Sequence, residues 1–293
     1  MKIDCNLTLR TSGLMVSTHN KVTDDFKQLL EQVLINGTAY VSQYTYAQFN
    51  LPTGYAILLY YQGVVVHMIT PSVDSYEDST LSSDVVIQGM DSSPDQYTVD
   101  SLQLWATYQN ILLYPIASAQ LPSPVTKIGF ISVQWEIIVT SNASTVPQNV
   151  PPVQISGGYA LPFTNFSTST FIATLLLVPL QVLQQYPESN FMVYYNALNG
   201  VVQPLNGVVA VAIVATTPPT QTQPIVINPL SVPQLQVVAT LTPTQGCALT
   251  QLNVSQYYVI AYYGFGNVRV PLVTVLLTGN GTLSKLCVEV LLS

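Results

Sequence analysis

Ionised side chains are scarce. Lys and Arg number 7 and Asp and Glu 14 in 293 residues, where an ordinary soluble chain of this length carries roughly seventy charges. With a formal net charge of −7, the chain lacks the phosphate-neutralising surface that nucleic-acid binding requires, so no direct nucleic-acid partner is expected. Histidine is almost missing. His19 and His67 are the two candidates for acid–base or nucleophilic chemistry, and no GxSxG elbow accompanies them. His67 falls inside the β-rich run 64–69, where a strand histidine making one hydrogen bond is expected. Three cysteines, Cys5, Cys247 and Cys287, make neither a metal quartet nor a CxxC pair. Each reads first as a small buried apolar residue. A Cys247–Cys287 disulfide is the bridge to consider, although Cys287 shares a strand face with Lys285 and Glu289. A phosphate-binding glycine loop is also lacking: Gly264-Phe265-Gly266 is followed by Arg269 where a third glycine belongs, and reads as a turn. Long apolar runs are interrupted, 55–69 by Gln62-Gly63 and 171–183 by Pro179, short of the length that spans a bilayer. Residues 1–20 contain no continuous apolar core of a signal peptide. No cofactor, metal or catalytic residue is therefore assigned, no transmembrane segment is expected, and the chain reads as a non-enzyme.

What is present is a normal apolar fraction, 48%, enough for a core and too high for compositional disorder. One segment has helical periodicity. Thr23 is placed to cap, Asp24 and Asp25 suit the first turn, Phe26, Leu29, Leu30, Val33 and Leu34 fall on one face, and Asn36-Gly37 ends it. Elsewhere the period is two. In 125–140 the residues Ile131, Val133, Trp135, Ile137 and Val139 alternate with Ser132, Gln134, Glu136 and Thr140, the pattern of a half-buried antiparallel strand. Runs 55–61 and 64–69, split by Gln62-Gly63, read as a hairpin. Further strands are expected at 38–46, 84–90, 97–108, 153–161, 170–178, 191–195 and 208–216. Five more follow at 235–242, 248–254, 257–263, 268–277 and 283–292. No βαβ pattern occurs. The expected class is all-β: a jelly-roll-like antiparallel β-sandwich with one short N-terminal helix and a small C-terminal Ig-like or Greek-key domain. The corresponding division is an N-terminal arm and helix at 1–37, a sandwich at 38–216, a connector at 217–234 containing Pro218, Pro219, Pro224, Pro229 and Pro233, and the small domain at 235–293. A weaker boundary lies at 141–152.

Charge is unevenly spread. Asp74, Glu77, Asp78, Asp84, Asp91, Asp95 and Asp100 hold half of all the acids without a basic residue among them. A solvated acidic loop is the expected reading, with Ca²⁺ binding the sharper alternative, since an EF-hand spacing is missing. Glu136 beside Trp135 is the carboxylate to examine for glycoside chemistry, and a surface ion pair with Lys127 is its commoner explanation. Tyrosine pairs at Tyr60-Tyr61, Tyr194-Tyr195, Tyr257-Tyr258 and Tyr262-Tyr263 would place one ring of each pair outward in a strand, for a sugar platform or a subunit interface. Sequons begin at Asn6, Asn36, Asn142, Asn165, Asn253 and Asn280, about twice the number chance gives, and these asparagines are candidate glycosylation sites on an exterior surface.

Neutral hydrogen-bonding side chains keep a protein hydrated without depending on ionisation, an advantage in acid, where carboxylates protonate and native ion pairs fail. In low charge, abundant Tyr, Val, Ile, Thr and Pro, strand density over 38–216 and an appended β domain at 235–293, the chain resembles capsid, penton and turret proteins of icosahedral viruses infecting hot-acid archaea. That resemblance covers the whole chain, contains no diagnostic motif, and carries no functional residue over. It implies a virion structural protein, assembled in the host cytoplasm and then extracellular. Its partners would be itself, as a homo-oligomer, and other capsid proteins, with host surface glycans as an outer-domain partner. The two halves are not visibly alike, which favours one jelly roll plus an extra domain. The rivals are an extracellular archaeal surface or filament subunit and a carbohydrate-binding or carbohydrate-active β protein.

Overall fold

In the computed structural model, the described residues are 1–37, 50–141, 159–160, 166–202, 205–215, 236–241 and 247–287. The chain opens with β1 (Lys2–Thr11), β2 (Met15–Val22) and α1 (Asp24–Asn36). Seven strands follow: β3 (Gly54–Tyr61), β4 (Val64–Ile69), β5 (Ser72–Asp78), β6 (Ser82–Asp91), β7 (Thr98–Tyr108), β8 (Ile111–Thr126) and β9 (Ile131–Thr140). Then come β10 (Tyr159–Ala160), α2 (Thr168–Leu177), α3 (Leu180–Leu183), α4 (Asn190–Ala197), β11 (Leu205–Ala215), β12 (Gln236–Leu241), β13 (Cys247–Phe265) and β14 (Val268–Cys287). The architecture is all-β and sandwich-like, as the period-two pattern implies.

Nine strands form one ladder in the order β4-β3-β7-β8-β2-β1-β9-β6-β5. It folds into two layers at β2, whose residues 15–20 pair with β1 while Lys21 and Val22 pair with β8, the way a strand turns a corner between sheets. The two edge strands, β4 and β5, are consecutive in sequence and joined through Thr70 and Pro71, so the sheet must curl until its ends approach. Gly89 on β6 permits that approach: a Cβ there would lie 2.7 Å from Ile69 and 3.0 Å from Pro71. Within the all-β class this connectivity, a single nine-strand ladder, departs from the paired four-stranded sheets of a jelly roll. The interior is filled by alternate residues, among them Leu7, Leu9, Ile57, Leu59, Leu102, Leu104, Val133 and Trp135, each at most 1% exposed.

The helix read from sequence is present. Thr23 accepts from the Phe26 N–H and Gly37, at φ 72°, ends it. The Gln62-Gly63 turn is also present, both residues at positive φ. Other expectations are corrected. Segments 170–178 and 191–195, read as strands, are the helices α2 and α4. Nearly every α2 residue is buried, and a segment apolar all round carries no periodicity to separate helix from strand. Segment 1–22, read as an arm, forms β1 and β2 in the middle of the ladder; the alternation of Cys5, Leu7 and Leu9 is its cause. Strand 208–216 pairs as β11 with β12 and β13 in a second sheet, β10-β14-β13-β11-β12, and not with the large one. Over the described part, 248–287, the four strands read at 248–292 are two long ones, in which the irregularity between Val254 and Gln256 falls at the expected breaks. The strand expected at 38–46, the 141–152 boundary beyond Ser141, most of 153–161 and the 217–234 connector lie outside the described residues.

The helices fill the space between the sheets. Tyr55 and Tyr114 of the large sheet donate to the α2 carbonyls of Leu177 and Leu176 at 2.6 and 2.8 Å. From the small sheet, Tyr263 donates to the α1 carbonyl of Val33 at 3.1 Å. Phe171 of α2 stacks on Phe191 of α4 at 4.6 Å and meets Phe265 of β13 edge-on at 5.7 Å. At the tightest crossing, Gly37 meets Gly207 of β11, and a Cβ on Gly207 would lie 2.5 Å from the Gly37 nitrogen. Both have positive φ, so glycine is required there for conformation and for space. Gly207→Ala is expected to cost about 3 kcal/mol or more, whereas Gly63→Ala, strained but facing open space, costs about 1–2 kcal/mol; denaturant unfolding of the two variants checks the difference.

Candidate functional site

The densest polar constellation forms where four elements end. Asp91 is the last residue of β6, Tyr97 precedes β7, Lys127 follows β8, and His67 lies in the edge strand β4. The Asp91 carboxylate accepts from the Tyr97 hydroxyl at 2.6 Å and from the Ser93 N–H at 2.8 Å. The Lys127 ammonium lies 3.5 Å and His67 Nε2 3.3 Å from the same carboxylate oxygen that Tyr97 reaches. Lys127 is completely buried. Its ammonium donates to the carbonyls of Ser93 and Asp95 and sits 5.4 Å over the Tyr97 ring, whose other neighbour is the stacked His67 ring at 4.9 Å.

Burial opposes ionisation of Asp91, but the hydrogen bonds from Tyr97 and Ser93, with His67 beside it, outweigh that and hold its pKa well below the ordinary aspartate value. Burial and the Asp91 carboxylate push the Tyr97 phenol up, so Tyr97 remains a neutral donor. This geometry is a clasp: one carboxylate ties together three segments far apart in sequence and fixes the edge strand through His67.

The sequence reading missed this clasp. Lys127 was expected in a surface ion pair with Glu136, and the structure corrects both parts: Lys127 is interior, and Glu136 accepts from the Asn6 amide at 2.8 Å. The local pattern gave no signal, because the partners are brought together by the curl of the ladder. His67, expected to make one hydrogen bond, instead stacks and pairs with Asp91.

The acidic segment is solvated only in part: Asp74, Glu77 and Asp95 are exposed, whereas the other acids are engaged in or against strands. Asp78 accepts from the N–H groups of Asn190 and Phe191 at the start of α4, Asp100 accepts from the Gln62 N–H at 2.7 Å, and Asp91 holds Lys127. Asp84 lies on the outer face of β6, where burial and the nearby Glu136 and Glu77 raise its pKa. Among the described residues, no group of three or more His, Cys, Asp or Glu side chains is arranged to hold a metal ion.

Of the sequon asparagines, Asn6 lies mid-strand on β1 with its amide engaged by Glu136 and its carbonyl oxygen 3.1 Å from His19 Nδ1. Asn36 ends α1 beside the Gly37–Gly207 crossing. Asn253 and Asn280 lie on β13 and β14, and Asn142 and Asn165 are outside the described residues. The ladder sets Cys247 opposite Cys287, and Cys287 is disulfide-bonded. Cys5 is a buried free thiol, pushed up to about 12 by burial and by Asp4. The outward-facing tyrosine expected in each pair fails at Tyr262-Tyr263, where both rings are buried, and Tyr194-Tyr195 lies on a helix.

Besides Ile111 and Leu112 on β8 and Val193 on α4, exposed large apolar side chains gather on two parts of the large sheet. Leu14, Met15, Ile128 and Met90 occupy one rim, and Val64, Val65 and Met68 lie on β4, at 65, 47 and 56% exposure. Both adjoin the clasp.

Comparison with known proteins gives a class: the sequence is similar to proteins of filamentous viruses of thermoacidophilic archaea. One relative is "Putative transmembrane protein ORF289" of Acidianus filamentous virus 2 (isolate Italy/Pozzuoli), 36% identical over 78 residues, 26% of each chain. Another is "Uncharacterized protein 53" of Sulfolobus islandicus filamentous virus (isolate Iceland/Hveragerdi), 28% identical over 134 residues, 44% of this chain and 39% of that protein. The alignments thus span about a quarter and two fifths of these relatives. The expected viral origin in hot acid agrees with both, whereas the expected icosahedral lineage does not, since both viruses are filamentous. No family model matches, and no solved structure matches. No helix among the described residues is long and apolar enough to cross a membrane.

Asp91→Asn leaves the buried Lys127 without its counter-ion and is expected to cost about 3–5 kcal/mol at neutral pH, with Asp91→Asn/Lys127→Met costing less than the sum of the single changes. Because the Asp91 pKa is lowered, its contribution is full above the ordinary value of 3.8 and fades only as pH falls through the lower folded value. Asp84 has the opposite sign: its charge costs stability at neutral pH, and the cost is relieved as pH falls through its raised value. Asp84→Asn should therefore raise the unfolding midpoint at pH 7 and have no effect near ~pH 2, below the ordinary aspartate range.

Proposed function

We propose that the chain is a non-enzymatic structural protein of an archaeal virus particle, built to self-associate or to bind other shell proteins in hot acid. The observation that carries this reading is the similarity to proteins of two filamentous viruses of thermoacidophilic archaea. Two physical features support it. The fold is held by apolar packing between two sheets and a helical layer, with few ionised groups to protonate. The densest polar cluster is consumed by holding strand ends together and leaves no nucleophile paired with a base. Of the capsid, penton and turret roles, a component of a filamentous coat follows the relatives most closely, with assembly in the host cytoplasm and exposure to the exterior after release.

Mass spectrometry of gradient-purified virions tests the assignment. The chain is expected in intact particles at many copies and resistant to a high-salt wash. Confinement to infected-cell lysate, with none in particles, would overturn it.

A further inference from the structure

We propose that the outer face of β3, β7 and β8 is a binding platform for a neutral sugar, with Tyr60 and Trp105 at its two sides and the Gln103 amide between them. The inference is independent of the assembly role, since it names a ligand and not a neighbour in a shell. Register puts the residues together. Ala56, Leu58 and Tyr60 of β3 lie opposite Trp105, Gln103 and Ser101 of β7, and Gln103 and Ser101 lie opposite Ser118 and Gln120 of β8. Alternation turns this set outward, because the residues between them, Ile57, Leu59, Leu102 and Leu104, fill the interior. Gln103 Oε1 accepts from the Tyr60 hydroxyl at 2.9 Å and from the Trp105 indole N–H at 3.1 Å. Two converging donors can be met only by the amide oxygen, so the orientation of the amide is fixed. Its nitrogen is left with two protons for which the described residues supply no acceptor.

The two rings are not spent on the core. Both are half-buried, and the ring contacts among the described residues involve neither of them. Beneath them Ala56 and Leu58 form an apolar floor, 4 and 7% exposed. The other half of the ladder has no counterpart: β2, β1, β9, β6 and β5 contain Trp135 and Tyr76 as their Trp, Tyr or Phe residues, and both are buried. An apolar floor with a few fixed polar groups is the composition of a small-ligand site, and groups already held in place lose little freedom on binding. A pyranose ring fits both parts. Its C–H groups pack on the negative face of an aromatic ring, and its hydroxyls pair with the free Gln103 protons and with the hydroxyls of Ser101 and Ser118. Charge selects a neutral ligand. The nearby carboxylate, Asp100, is engaged by the Gln62 N–H and the Ser101 hydroxyl, and the one cation is Lys21 at the margin, opposite Ser118. A nucleotide would stack equally well, but its phosphates would meet no cluster of basic residues.

Affinity electrophoresis of the full chain in native gels containing α-mannan, dextran or hydroxyethylcellulose tests the proposal. At least one of these neutral polymers is expected to retard the wild type. Trp105→Ala and Gln103→Leu should each weaken that binding about tenfold or more, with Gln134→Leu, on the other outer face, as the unchanged control. Acrylamide quenching of the wild type gives a second readout that needs no variant to fold. The chain has two tryptophans and Trp135 is fully buried, so the quenchable emission is that of Trp105, and the retarding polymer should protect it. Retardation by none of the polymers, retardation unchanged in Trp105→Ala, or equal loss in Gln134→Leu would overturn the platform. Protection of Trp105 by rising protein concentration without polymer would also overturn it, making a second copy the occupant. All four results leave the virion role standing, and absence from particles removes that role without touching the sugar site.

Discussion

One carboxylate in the interior, Asp91, holds an ammonium, Lys127, that has no access to water. These two are the carboxylate and the ammonium among the buried described residues, in a chain with unusually few of either. Lys127 arrives from the end of β8, Asp91 from the end of β6, Tyr97 from the start of β7 and His67 from β4. The pair therefore forms only in the curled sheet. Burying an ion pair rarely adds stability over a well-packed apolar substitute. Its effect here is registration: it specifies which strand ends meet.

The remaining cohesion is apolar or uses neutral donors. Tyr55 and Tyr114 reach carbonyls of α2, Tyr263 reaches a carbonyl of α1, and the Thr168 hydroxyl reaches the Pro271 carbonyl at 2.7 Å. None of these interactions depends on a charge that acid removes. The carboxylates fall on both sides of the balance. Asp91 resists protonation because donors surround it, and Asp84 is relieved by protonation because burial and the nearby Glu136 and Glu77 disfavour its charge. A fold so arranged loses little as pH falls, which suits viruses whose hosts live in hot acid.

Local sequence carried much of this. Alternation identified β9, the Gln62-Gly63 turn placed the β3–β4 hairpin, and Thr23 with Asn36-Gly37 bounded α1, because each signal is confined to a few neighbouring residues. It failed where burial is complete or the cause is remote. Residues 168–177, apolar and β-branched, have the composition of a strand and become a helix because both faces are covered. Pro115, Pro122 and Pro124 interrupt β8 and mask its strand character in the sequence; Pro115 sits beside an irregularity in its ladder with β7, where a missing N–H is tolerated. The clasp was invisible for a stronger reason. His67, Asp91 and Lys127 acquire their relation only once β4 and β6, at opposite ends of the ladder order, have been brought together.

Apart from Asp91, whose pKa is lowered, the stability of this protein is expected to depend little on ionised groups. Thermal unfolding of the wild-type chain followed from pH 7 to about pH 2, through the whole range in which ordinary carboxylates protonate, is the most direct test of this expectation. A midpoint that changes little down to about pH 4, and declines only gradually below it as the Asp91 contribution fades toward its lowered folded value, is the predicted result. Cooperative unfolding at or above about pH 4, where only ordinary carboxylates gain protons, would contradict it.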